Sequence, residues 1–164
     1  MENLDLRIQQ VMDTIKEEEI KVASLRETRN NLIAQQEEKI KEVAIKLLPV
    51  MQTIRNMGYR FHADGIDYMS KKGAILGFDK YEDELYVFDI EHQLPCIVDV
   101  RNLSNSSNNP VNYIGYSELL SAFDFPEIMD NLLSVLDHYQ DVQKEYQNTI
   151  NKLEDELNDY ENVL

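Results

Sequence analysis

"AILGFDKYEDELYVFDIEHQLPCIVDV", residues 74–100, is the stretch on which the fold turns. In Ala74–Phe78, Leu85–Glu91 and Cys96–Val100, β-branched and aromatic residues crowd together; polar clusters at Asp79–Glu84 and Gln93–Pro95 separate the runs. Such side chains suit a pleated surface, and short polar gaps suit hairpin turns. Upstream, "YRFHA" (59–63) and "IDYMS" (66–70) have the same character around Asp64-Gly65. Together the runs predict an antiparallel meander of four or five strands. Downstream, Asn102–Asn112 holds no large apolar residue except Leu103 and Val111, which predicts an exposed, mobile loop. The β insert is thus expected over residues 58–113.

On both sides of the insert the apolar period becomes helical. Residues 1–57 read as an N-terminal coiled-coil helix, with Leu4, Ile8, Val11, Ile15, Val22 and Leu25 on a heptad seam and Glu18 in one core slot. The seam resumes one residue late through Ile33, Ile40, Ala44, Leu47, Met51 and Ile54, so Val22 to Ile33 is an eleven-residue step. Pro49 predicts a kink, or a break with a new helix starting there.

Residues 114–164 read as a short helix capped by Ser117, then a long acidic helix opened by an Asp124–Glu127 capping box with Pro126 in its first turn. Its apolar stripe is expected to run unbroken from Ile128 through Leu132, Val135, Tyr139, Val142, Tyr146, Ile150, Leu153, Leu157 and Tyr160 to Leu164. An eleven-residue step recurs from Tyr139 to Ile150. Each stripe needs a partner, and the economical one is the other helix. The expected fold is therefore α+β and mostly helical. The two long helices pair as an antiparallel coiled-coil hairpin around a small antiparallel sheet, with Arg29 level with Tyr146.

The net charge of −15 is spread unevenly. Residues 1–57 carry ten acids and nine bases, and 58–113 carry nine and five. Residues 114–164 carry twelve acids and two bases. Direct nucleic-acid binding is disfavoured, since it needs clustered lysine and arginine. A basic protein surface is the favoured partner. On the last helix Asp130, Asp137, Asp141, Glu145, Asp155 and Asp159 fall opposite the apolar stripe, while Glu154 and Glu161 flank it. Acids four apart rise about 6 Å, close to the phosphate repeat of a nucleic-acid strand. A solvated outer face would also be acidic, but such faces usually mix signs, as the first helix does with Lys16, Lys21, Lys39 and Lys41.

Catalytic signals are absent: no Ser/His/Asp constellation, phosphate-cradling loop or dinucleotide fingerprint occurs. His62, Asp64 and Asp67 could be imagined as a metal site, but short polar clusters are common at hairpin turns, and no metal or cofactor is expected. The acidic turn Asp79, Glu82, Asp83 and Glu84 lacks the spacing of a calcium loop. Glu91-His92 and His138 have no evident acid–base partner. Cys96, the single cysteine, reads as a buried inert thiol. Tyr81 and Tyr113 are expected at the surface, and Tyr139, Tyr146 and Tyr160 on the seam.

No apolar run reaches the ~18–20 residues of a membrane span, and the acidic start lacks a secretory pattern. A cytoplasmic protein of a bacterial host is expected. The outline of two long helices with a strand-rich tip resembles prefoldin-type chaperone subunits. The alternative expectation is a coiled-coil adaptor or assembly factor that self-associates through its helices, as a homodimer would. Small, acidic, motif-poor chains also look like the inhibitors that phages and mobile elements direct against host nucleases such as CRISPR effectors. The leading expectation is such a non-enzymatic inhibitor, occupying a basic nucleic-acid channel.

Overall fold

A computed structural model of the chain describes residues 2–101 and 111–163. Its elements in order are α1 (Glu2–Asn56), β1 (Ile75–Asp79), β2 (Glu84–Asp89), β3 (Leu94–Asp99), β4 (Asn112–Tyr113), α2 (Tyr116–Ala122), α3 (Phe125–Leu133) and α4 (His138–Asp159). The fold is α+β and 64% helical. Most of the expected mobile loop falls on residues 102–110, outside the described residues.

The 55 residues of α1 form one continuous helix. No glycine precedes Gly58 and the stretch is rich in Glu, Gln, Lys, Arg and Leu, all good helix formers. Local pairs such as Lys21–Glu18 (3.4 Å) and Lys46–Glu42 (3.3 Å) add a few tenths of a kcal/mol each. The chain divides into two compact units, one ending at Lys39 and one running from Ile40. In the first, no side chain from Asn3 to Lys39 is buried. From Ile40 onward the helix buries Ile40, Ala44, Leu47, Leu48, Met51 and Ile54 in the core of the second unit.

Of the kink or break expected at Pro49, the break does not occur; the helix runs through it to Asn56. Proline removes one hydrogen bond, but buried residues on both sides (Leu47 and Leu48, Met51 and Ile54) hold the flanking turns against the core. Because the Pro49 ring is exposed, Pro49→Ala loses no packing. It is expected to stabilise the chain by about 1–2 kcal/mol, the helix gain minus the entropy returned to the unfolded state. The urea midpoint should rise, and an unchanged or lower one would contradict this account.

The sheet is an antiparallel meander in the order β1-β2-β3-β4. It differs from expectation at both margins. The runs at 59–63 and 66–70 are not strands and meet in a single bridge, Phe61 to Ser70. The fourth strand is instead Asn112–Tyr113, pairing with Ile97 and Cys96 at the end of the expected loop. The cause is burial of both sheet faces. Tyr86, Phe88 and Ile90 face the core built with α1, α2 and α3, whereas Leu85 and Val87 join a second core with Ala63, Ile75 and Cys96, flanked by Ile66 and Tyr68. Segment 59–73 thus covers the second face rather than extending an edge. A strand covered on both faces is apolar at every position, as "LYVF" is.

A bulge between Ile75 and Gly77 lets Leu76 and Gly77 both address the helical side. At Gly77 a Cβ would come within 2.7 Å of the Phe123 ring, so only glycine admits that ring, which also stands edge-on to Tyr86.

The helical starts are reorganised too. Helix α2 begins after Gly115 rather than at Ser117, because Ile114 is buried and donates its N–H to Pro95 O (3.0 Å), turning the chain directly out of β4. Asp124 is the N-cap of α3 as expected, but its side chain makes no capping bond, so the reciprocal box is not formed. The stripe expected to run unbroken from Ile128 is interrupted by a 3₁₀ turn at Ser134–Asp137. Asn131 Nδ2 donates to Leu76 O (3.0 Å) and Ser134 Oγ donates to Asn131 O (2.6 Å), pinning the end of α3 to the sheet. The tighter turn then brings Val135 and His138 inward. Among the described residues no helix is long and apolar enough to cross a membrane.

Candidate functional site: the acidic, tyrosine-lined helix α4

Helix α4 is held at its first residue. His138 is 6% exposed, stacks on His62 (5.5 Å between centroids, 27°) and meets the edge of Tyr59 at 5.5 Å. Its Nε2 lies 3.2 Å from Arg60 O, so the Nε2–H tautomer donates there. His138 therefore has a structural role, invisible in sequence because its partners lie far upstream. His62 is spent in the same cluster, and no group of three metal-ligating side chains occurs among the described residues.

Beyond this anchor α4 is partly covered at Asp141 and Val142 and exposed from Gln143 to Asp159. Tyr139, Tyr146 and Tyr160 are 60%, 61% and 72% exposed, with Ile150, Leu153 and Leu157 exposed between them. Tyr59, Tyr139, Val142, Gln143, Tyr146 and Ile150 line an open groove of about 680 Å³. Exposed tyrosine with apolar neighbours is the composition of recognition surfaces.

The six acids expected to form one ridge are divided by the 3₁₀ turn. Asp130 lies on α3 and Asp137 ends the turn, while Asp141, Glu145, Asp155 and Asp159 lie on α4. A 3₁₀ residue advances about 120° against 100° in an α-helix, so four of them rotate Asp130 off the α4 face by roughly 80°. Asp141 is half-buried, leaving Glu145, Asp155 and Asp159 as the exposed acids of the six on α4, with Asp130 and Asp137 exposed ahead of it. Among the described residues none of the six has an ion-pair partner. The pair on α4 is Lys152 with Glu156, at 3.9 Å.

A second polar cluster was not foreseen. Asp89 is 3% exposed at the end of β2; its Oδ2 accepts from Tyr113 OH at 2.6 Å and lies 3.0 Å from His92 Nδ1, while Oδ1 accepts from Glu91 N at 3.0 Å. His92 Nδ1 also lies 2.9 Å from the Tyr113 oxygen. Burial pushes the Asp89 carboxyl up, but hydrogen bonds from Tyr113, His92 and the Glu91 amide, with the Lys72 charge, hold it below its ordinary range. The bond to Asp89 pushes the Tyr113 phenol up to about 12. The arrangement is a clasp fastening β4 to the β2–β3 turn. The sequence cue was Asp89 and His92 three apart, but Tyr113 joins them from 24 residues away.

The other candidates resolve as turn and core. Asp79 Oδ1 accepts from Tyr81 N (3.0 Å) and Glu82 N (3.3 Å), which makes the acidic cluster a capped hairpin turn. Cys96 is fully buried, and burial with the nearby Asp89 charge pushes its thiol up to about 12. Comparison with protein-family models, curated proteins and solved structures finds no match for this chain.

Proposed function

We propose that this chain is a non-enzymatic protein-interaction module that presents the acidic side of α4 to a basic protein surface. The class of partner that best fits is a nucleic-acid-binding enzyme, such as a CRISPR-type nuclease, whose basic channel the module blocks; that is the action of an inhibitor carried by a phage or mobile element. The observation that carries the reading is the set of exposed carboxylates at Glu145, Asp155 and Asp159, without ion-pair partners among the described residues. Competition with phosphates for lysine and arginine is the mechanism, and it weakens steeply with salt.

The test is displacement of labelled DNA from a guide-loaded CRISPR nuclease and from other basic nucleic-acid enzymes, followed across a salt series. Glu145→Lys, Asp155→Lys and Asp159→Lys together should weaken binding by about 2–4 kcal/mol, roughly 30- to 900-fold, because each reversal adds repulsion as well as removing attraction. The same reversal at exposed Asp64, Asp67 and Glu82 gives equal net charge and should retain binding. Binding that survives both triple variants, or no displacement from any basic enzyme, would sink the reading.

The second reading is a coiled-coil adaptor or chaperone-like assembly factor. It is favoured by the exposed stripe on the first unit, where Leu4, Val11, Ile15, Leu25 and Leu32 are all uncovered. An intrachain α1–α4 hairpin belongs to this reading, and a cysteine pair at 29 and 146 tests it.

A further inference from the structure

The first compact unit carries an apolar strip of its own. Leu4, Ile8, Val11, Ile15, Val22 and Leu25 recur at alternating steps of three and four, with Glu18 in its slot, and each apolar member is 40–69% exposed. Except for Met12, the flanking positions are polar: Asp5, Glu19 and Arg26 on one side, Arg7, Thr14, Lys21 and Thr28 on the other. A strip that narrow is a coiled-coil seam, and what covers such a seam is another single helix. We propose that the covering helix is the same segment of a second copy, running antiparallel, with Ile8 level with Leu25 and Val11 level with Val22 of the other molecule.

Charge selects the orientation. In a parallel pair Glu18 would face the second Glu18 across the seam, and Lys21 would meet Arg26 on the flank. Antiparallel, Glu18 lies level with Ile15 of the other copy and keeps its own Lys21 at 3.4 Å.

Charge also selects the register. With Ile8 opposite Leu25, one flank brings Asp5 beside Arg26 and Met12 beside Glu19; the other brings Arg7 beside Thr28 and Thr14 beside Lys21. None of these contacts joins like charges. A shift of one heptad in one direction sets Glu19 against Glu19 and Lys21 against Lys21. The opposite shift sets Asp5 against Glu19 and Arg7 against Lys21. Like-charge contacts of that kind exclude wrong partners and wrong registers. Arg26 already reaches Glu19 of its own helix at 3.7 Å, and its fork of five N–H donors can serve Asp5 of the second copy as well.

The segment suits self-pairing in net charge too. Residues 4–29 carry six acids and five bases, so two copies meet almost without net repulsion. The same pairing of α4 with itself would oppose seven acids and two bases on each side over residues 138–161. The inference gives the self-associating reading its segment, orientation and register, and rests on that reading; the acidic surface takes no part in it.

The experiment uses the full chain. Sedimentation should give a species of twice the 19.2 kDa chain mass. Ile8→Cys in one preparation and Leu25→Cys in another, mixed and mildly oxidised, should give a disulfide-linked dimer that neither gives alone. In the antiparallel pair two copies of residue 8 stand about 25 Å apart along the axis. Cys96 is buried and does not compete. Arg26→Glu sets an acid against Asp5 at both ends and should raise the dimer dissociation constant about tenfold. Adding Asp5→Lys to that chain should restore most of the loss, a rescue that misfolding could not produce. Crosslinking of Ile8→Cys with itself would mean a parallel pair and overturns the proposal. A dimer indifferent to Arg26→Glu overturns it as well, while leaving self-association through another surface. A monomer at the highest soluble concentration removes both this inference and the self-associating reading.

Discussion

Phe88→Ala is expected to cost about 3–5 kcal/mol, lowering the melting temperature by roughly 6–20 °C. Phe88 is fully buried on β2, on the sheet side that meets Ile40–Ile54 of α1 and Ile128 and Leu132 of α3. Its removal opens a cavity where three elements converge, and bulge, strand pairing and helix docking limit how far the walls can close. Leu25→Ala makes the contrast. It removes an apolar side chain from the same long helix that Phe88 braces, yet Leu25 is 69% exposed. The unfolding midpoint of the unit from Ile40 should therefore stay within about 0.5 kcal/mol. Urea titrations of both variants, followed by tyrosine fluorescence, decide the matter. Equal losses would mean that the division at Lys39 has no energetic meaning.

Asp89→Ala is expected to cost about 2–3 kcal/mol and to change how stability depends on pH. One buried carboxylate accepts from a phenol, an imidazole and an amide, and such charge-assisted bonds contribute roughly 1.5–3 kcal/mol each before discounting for the exposed Tyr113 and His92. The folded state holds Asp89 below its ordinary range. Its contribution is therefore present above the unfolded carboxylate value of about 3.9 and is lost as pH falls through the lower folded value. Tyr113 works in the opposite sense. Its folded value of about 12 lies above the ordinary phenol value of about 10, so its contribution is complete below the ordinary value and fades as pH climbs toward 12. Denaturation midpoints across acid and alkaline series should show both losses, each smaller in Asp89→Ala than in wild type, since Asp99 in acid and Tyr86 in alkali keep shifted values of their own. Tyr113→Phe should reduce the alkaline loss while keeping part of the acid one, through His92 and Glu91. Superimposable profiles for wild type and Asp89→Ala would dismiss the clasp.

The candidate surface was partly legible. Alternating apolar and acidic positions between Tyr139 and Tyr160 put tyrosines and carboxylates on different sides of α4, because a helix of known period fixes which residues share a side. Asp130 and Asp137 were assigned to that side by extending the period across Ser134–Asp137. The 3₁₀ turn interrupts that period, because Asn131 and Ser134 tighten the chain there and the bond that anchors Asn131 goes to Leu76, 55 residues away.

By itself the order of residues determined what local physics governs. Helix formers without glycine made α1 a helix, apolar runs between polar turns made β1 to β3 a meander, and composition left α4 acidic. Only tertiary structure decided the rest. It carried α1 through Pro49, laid segment 59–73 over a sheet face, recruited Asn112–Tyr113 as a strand and buried His138. In each case the winning interaction joins residues distant in the chain, and burial against a distant surface outweighs a local preference of about 1 kcal/mol or less per residue.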